Sequence, residues 1–213
     1  MGLPVLLIGK SGSGKSASLR NFQSEEVGII NVLNKPLPFK GKLKSYATDD
    51  YGAVMQLLGK SQVNTLVVDD AGYLLTNAFM RGHSLYGEGG VIFSFYNKLA
   101  DDFWKLIEFV KGLPAEKIVY FMMHEDKNDF GDIKPKTMGK LLDEKVCIEG
   151  LFTIVLRAVK ESKGHYFLTK SQGFDVSKTP IGLFDDEKIE NDLKFVNEKI
   201  REYYDLRGGN ANA

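Results

Sequence analysis

The chain has 213 residues, 28 Lys+Arg against 28 Asp+Glu, 43% hydrophobic residues and a pI near 6.8. Zero net charge excludes gripping nucleic acid or an anionic membrane by bulk electrostatics, so any DNA contact has to be local. One cysteine, Cys147, excludes an internal disulfide and a cysteine-cluster metal site, fits a reducing compartment, and is expected to be a small buried apolar residue.

The first apolar run, residues 3–8, has no basic flank and is too short for a signal peptide or membrane span, so a cytosolic, untethered protein is expected. It reads as a doubly covered strand, as do the non-alternating runs 27–32, 65–68 and 118–123. Helices are expected at 15–22, 50–58, 93–111 and 137–144, with Gly112 and Pro114 closing the third. Residues 152–159 and 166–169 read as an antiparallel hairpin on the sheet edge, followed by a last helix at about 186–204. The expected fold is therefore α/β, a mostly parallel central sheet flanked by helices with a C-terminal antiparallel hairpin. Residues 1–207 should form one domain, and 208–213 a flexible tail.

Directly after the first run stands Gly9-Lys10-Ser11-Gly12-Ser13-Gly14-Lys15-Ser16, a complete G-x-x-x-x-G-K-S phosphate loop, with Ala17 following. Its glycines let backbone N–H groups turn inward toward phosphate oxygens, and the helix expected from Lys15 would aim its positive end at the same charge. Lys15 is the candidate to bridge the β- and γ-phosphates of ATP, and the Ser16 hydroxyl the candidate ligand of Mg²⁺. Asp69, ending the run Leu66-Val67-Val68, is the second candidate for the metal. Asp70 either polarises the attacking water or is a cap or turn residue beside Gly72. His124 either senses the γ-phosphate from a neighbouring strand tip or is simply satisfied at a strand end.

Two loops combine cations with aromatics, as sequence-tolerant single-strand binding requires. Residues 77–90 carry Phe79, Arg81, His83 and Tyr86; residues 126–140 carry Lys127, Phe130, Lys134, Lys136 and Lys140. Asp126, Asp129 and Asp132 weaken the field of the second, and each loop could instead be a solvated excursion or a subunit contact. Only five arginines, Arg20, Arg81, Arg157, Arg201 and Arg207, are present, which disfavours the arginine-rich lid of a small-molecule kinase. Asn34-Lys35-Pro36-Leu37 lacks the aspartate of a guanine-reading motif and precedes Asp69 instead of following it.

Over nearly its whole length the chain resembles the RecA-like, AAA-annotated ATP-binding proteins of bacteriophages associated with single-strand annealing and recombination. The residues that carry the resemblance are the phosphate loop, Asn31 to Phe39, His124-Glu125, Lys134 to Leu142, Ser177 to Phe184 and Ile189 to Leu193. The resemblance implies a RecA-like fold, hydrolysis of ATP with Mg²⁺, a homo-oligomeric ring or filament, and action on single-stranded DNA in the host cytoplasm without a membrane. It also implies a phage single-stranded-DNA-binding protein as a further partner, and a lysine reaching the nucleotide of the next subunit. Lys178 is the candidate for that lysine and Lys170 the second. Many RecA-like ATPases carry a catalytic Glu after the second strand, where Val32-Leu33-Asn34 has none; either Asp70 replaces it or hydrolysis is slow. A small-molecule kinase and a non-catalytic nucleotide-dependent interaction module remain the competing functions.

Overall fold

A computed structural model describes residues 1–85, 90–128, 130–138 and 146–206. The strands are β1 (Leu3–Gly9), β2 (Gly28–Asn31), β3 (Ser45–Ala47), β4 (Thr65–Asp69), β5 (Ile118–Lys127), β6 (Ile133–Pro135), β7 (Ile154–Glu161), β8 (Gly164–Leu168) and β9 (Lys188–Glu190). The helices are α1 (Tyr51–Lys60), α2 (Gly72–Gly82), α3 (Gly90–Lys111) and α4 (Leu193–Tyr203). One sheet runs β3-β2-β4-β5-β1-β7-β8-β9, parallel from β3 through β7, with β8 and β9 added antiparallel. The fold is thus mixed α/β with a mostly parallel sheet and a C-terminal antiparallel hairpin.

Alternate side chains of each central strand feed two separate cores, which is why these strands read as unbroken apolar runs. Leu6, Ile8, Val68, Phe121 and Met123 face one core with residues of α1, α2 and α3. Val5, Leu7, Val67, Tyr120 and Met122 face the other with Val196 and Ile200 of α4. Burying each such side chain contributes about 1.5–3 kcal/mol. The caps obey local chemistry: Asp50 accepts from Ala53 N ahead of α1, and Asp192 accepts from Lys194 N and Phe195 N ahead of α4.

Several sequence-based expectations change. After the phosphate loop the chain makes a 3-10 helix, Ser16–Asn21, not an α-helix, so there is no long macrodipole behind Lys15. The loop expected at 77–90 begins inside α2, whose Leu74 and Leu75 are buried, and continues as a 3-10 turn at His83–Leu85. The expected second loop is largely a hairpin, because β5 runs on past His124 to Lys127 and pairs with β6. Asn128 closes its turn, accepting at Oδ1 from Phe130 N and Asp132 N. The helix expected at 137–144 falls mostly on residues 139–145, outside the described residues; Thr137 and Met138 are not helical. The last helix starts later than expected, since residues 188–190 form β9. Cys147 is exposed, not buried. Tyr86, Asp129, Lys140, Arg207 and the tail 208–213 also lie outside the described residues.

Candidate functional site

Parallel strands bring their C-terminal ends to one edge, and at that edge β1, β4 and β5 deliver their functional residues together. β5 lies between β1 and β4, so Gly9 of the loop is level with His124, while Asp69 is level with Asn31 of β2 on its other side. A cavity of about 950 Å³ opens there, lined by Lys10 to Gly12, Gly14 to Ala17, Lys35, Asp69, Asp70, Tyr73, His124, Glu125, Lys136 and His165 among others. That is the size of a small-ligand cleft.

The loop is shaped for an anion. Gly12 and Gly14 both adopt left-handed backbone, with φ of 75° and 102°. A Cβ on Gly12 would meet nothing within 4 Å, whereas one on Gly14 would strike His165 Nδ1 at 2.9 Å. Ser13 N donates to Lys10 O, and its carbonyl is 2.9 Å from His165 Nδ1, so β8 braces the loop from the side. The Ser13 hydroxyl is buried with no hydrogen-bond partner among the described residues. Lys15 is buried and donates back to Gly9 O at 2.7 Å and Lys10 O at 3.0 Å. Its ammonium therefore stands inside the curl of the loop, and burial lowers its pKa while Asp70, Asp69 and Glu125 draw it back up.

Ser16 Oγ donates to Asp69 Oδ1 at 2.9 Å, bridging β1 and β4 across β5. The hydroxyl and carboxylate are hard oxygen donors placed side by side, the pair that a magnesium ion shared with phosphate oxygens needs. Burial pushes Asp69 above the usual carboxylate range, and the adjacent Asp70 charge pushes it further against the pull of Ser16 and Lys15. Asp70 differs. It is not on the strand, so no alternation of side-chain direction relates it to Asp69; its backbone is left-handed, with φ of 59°. Tyr73 N and Ala71 N fix the turn by donating to Asp70 O and Met122 O. Asp70 Oδ1 lies 3.4 Å from His124 Nε2, and Oδ2 lies 3.0 Å from Lys35 Nζ. Burial raises its pKa, but His124 and Lys35 outweigh that and hold it low.

Sequence reasoning did not single out Lys35, His165, Glu125 or Arg157 for this site. Glu125 lines the cavity and accepts from Arg157 Nε at 2.8 Å and Nη2 at 3.0 Å, a half-buried bidentate pair, with Asp175 Oδ2 3.7 Å from Arg157 Nη1. The His124-Glu125 pairing in the sequence was the available signal; Lys35 had none, because its partner is 35 residues distant.

The remaining candidates lie elsewhere. Lys178 is exposed and pairs by both backbone groups with Val155, which is level with Leu6, away from the loop end of β1. Lys170 is exposed beyond β8. Neither lines the cavity. Arg81 sits in the last turn of α2 and pairs with Asp49 Oδ2 at 2.6 Å. Lys127 and Lys134 belong to the β5–β6 hairpin, whose turn holds Phe130 at 92% exposure, and Lys136 runs from it to the cavity, donating its N–H to His124 O.

No protein-family model matches the chain, and no curated protein sequence matches it. Among solved structures, the X-ray structure of the Legionella pneumophila ATPase DotB is similar over 98% of this chain at 9% identity and a TM-score of 0.36. The chain spans about half the length of that protein, covering 54% of it.

Proposed function

We propose that this cavity binds ATP with Mg²⁺ and hydrolyses it, in a RecA-like oligomer that acts on single-stranded DNA in recombination or replication. The observation that carries the reading is the convergence of Lys15, the Ser16–Asp69 pair and the Asp70–His124 pair on one cavity. In this reading Lys15 exchanges the Gly9 and Lys10 carbonyls for β- and γ-phosphate oxygens, and the loop N–H groups hold the same phosphates. Ser16 and Asp69 would hold the magnesium ion, which would supply charge neutralisation at the terminal phosphate. Asp70 accepts the proton of the attacking water as its oxygen bonds to the γ-phosphorus and the bond from that phosphorus to the bridging oxygen breaks. His124 holds Asp70 in place.

The DNA reading is supported by the β5–β6 hairpin, where Lys127, Lys134 and Lys136 flank an outward Phe130, and by Arg81 in α2. Lys178 stands outside its own cavity, as a residue serving a neighbouring subunit would. The host-cytoplasm setting and the phage single-stranded-DNA-binding partner follow from the resemblance; no described helix is long and apolar enough to cross a membrane.

The test is phosphate release by the full chain with Mg²⁺, with and without single-stranded DNA, alongside sizing under each condition. Hydrolysis that rises with DNA, in an assembled species, is expected. A Lys134→Ala/Lys136→Ala double variant should weaken DNA binding and flatten its salt dependence, and Lys134→Ala alone, which leaves the cavity lining intact, should do so in smaller measure without altering DNA-free nucleotide affinity. Hydrolysis indifferent to DNA overturns the DNA role, and transfer of phosphate to a metabolite replaces the reading with a kinase.

A further inference from the structure

Lys35 is held in place with more care than a surface lysine needs. Asn31, the last residue of β2, is buried and spends both ends of its amide on Lys35: Nδ2 donates to Lys35 O at 2.6 Å, and Lys35 N donates to Oδ1 at 3.1 Å. Asn34 adopts left-handed backbone, with φ of 52°, and its N–H closes the turn on Asn31 O. Pro36 follows, fixing the exit of the chain. The turn is thus pinned to the sheet, and it lays the Lys35 side chain over the cavity, its Nζ 5.5 Å from the centre of the Tyr73 ring.

The ammonium comes to rest on Asp70, itself held by left-handed backbone. Both anchors are therefore rigid while the contact between them is not: the Lys35 side chain is 57% exposed. An ion pair with one partner so exposed is worth about 0–1 kcal/mol and is readily exchanged for a stronger anion. A terminal phosphate carries more charge than one carboxylate and offers more acceptor oxygens.

We propose that Lys35 is a second phosphate-binding cation, which leaves Asp70 for the terminal phosphate of a bound nucleoside triphosphate and so frees Asp70 to engage water. This rests on the nucleotide reading above and deepens it. A diphosphate lacks the third phosphate that draws Lys35 away, so the resting pair persists. Discrimination between the two nucleotides then resides in Lys35, and activation of Asp70 is coupled to the presence of the third phosphate. The arrangement also supplies in cis a cation of the kind that an arginine lid would provide.

The experiment is calorimetric titration of the full chain with Mg²⁺, using ADP and the non-hydrolysable analogue adenylyl-imidodiphosphate. Parent, Lys35→Ala, Asp70→Asn and the double variant are compared after circular dichroism shows all four folded. Lys35→Ala is expected to weaken the triphosphate analogue by about 10- to 100-fold, the scale of a lost charge-assisted hydrogen bond, and to leave ADP within roughly 2-fold. Asp70→Asn should tighten the analogue, and most of that gain should vanish in the Lys35→Ala background. Simple relief of repulsion between Asp70 and phosphate would give the same gain in both backgrounds, so the cycle isolates the exchange. Equal weakening of both ligands, no weakening of either, or a gain independent of Lys35 overturns the proposal. The nucleotide reading is judged separately: if the parent binds both ligands and Lys15→Ala loses them, it stands whatever Lys35 does, and if the parent binds neither, both fall.

Discussion

The two ends of the same sheet treat buried polar groups in opposite ways. At the N-terminal ends of β4 and β5, Asn197 Oδ1 of α4 accepts from both Thr65 Oγ1 and Tyr120 Oη at 3.2 Å. Arg201 donates to Thr65 Oγ1 and Glu116 O, and Lys117 donates to Ser61 O and Val63 O, so polar groups there find complementary partners within the fold. At the C-terminal ends, Asp69 and Asp70 are neighbours of like charge, Lys15 turns back on its own loop, and the Ser13 hydroxyl has no partner among the described residues. The first end is finished by folding, and in the proposed reading the second is finished by a bound nucleotide. Like charges left adjacent beside an open cavity are what the nucleotide reading requires of the second edge.

The largest effect that would sharpen this contrast is on binding. Lys15→Ala should cost roughly 100-fold or more in nucleotide affinity or turnover while stability shifts by no more than about 1 kcal/mol, because the ammonium serves a ligand and not the fold. Titration with labelled ADP and urea unfolding read the two quantities; parent-like affinity would remove Lys15 from the proposed site, and a larger loss of stability would show that its bonds to Gly9 O and Lys10 O serve the fold. At the finished end the dependence reverses. Asn197→Ala strips Thr65 and Tyr120 of a shared acceptor in a buried position and should cost about 2–3 kcal/mol of stability, with nucleotide affinity unchanged. A loss of affinity without a loss of stability would break the contrast.

The smallest effects separate the adjacent aspartates. The carboxyl of Asp69 is held above its ordinary range, so the stability associated with it is intact below that range and is lost as pH rises through the raised value. Asp69→Asn should therefore match the parent below about pH 4 and exceed it at neutral pH, by on the order of 1 kcal/mol. Asp70 is held low, so its contribution is present above its ordinary range and fades as pH falls. Asp70→Asn should cost under about 1 kcal/mol at neutral pH, since its partner Lys35 is largely in solvent, and the cost should disappear on acidification. Thermal unfolding across pH reads both, and shifts of the same sign would refute the assigned environments.

The legible part of the molecule was the part governed by local chemistry. A strand buried on both faces has to be apolar throughout, so β1, β2, β4 and the first half of β5 stood out, and the phosphate loop followed from glycine spacing alone. β3 did not, because Ser45, Tyr46 and Ala47 are all exposed on the sheet edge and carry no apolar run. The second half of α2, from Asn77, was read as part of a loop because Gly82 and the glycines that follow at 87, 89 and 90 crowd its end, while only Leu74 and Leu75 of the helix are fully buried. β5 seemed to stop at His124 because Glu125, Asp126 and Lys127 are polar, yet pairing with β6 extends it. Lys35 was invisible for a different reason: Asn31 and Asp70 give it meaning only after β2 and β4 have been laid side by side.

The left-handed backbone at Asp70 sets two kinds of selection against each other. Asn and Gly, each one base change from Asp, suit that backbone as well or better but discard the charge. Glu, also one base change away, keeps the charge but has neither the short side chain nor the backbone tolerance that the turn demands. Random drift with only folding to satisfy would tolerate Asn or Gly, since the pair with exposed Lys35 is worth under about 1 kcal/mol. An aspartate retained there in a descendant lineage would record continued use of its charge, and an asparagine or glycine would mark a copy that still folds but has left that chemistry behind.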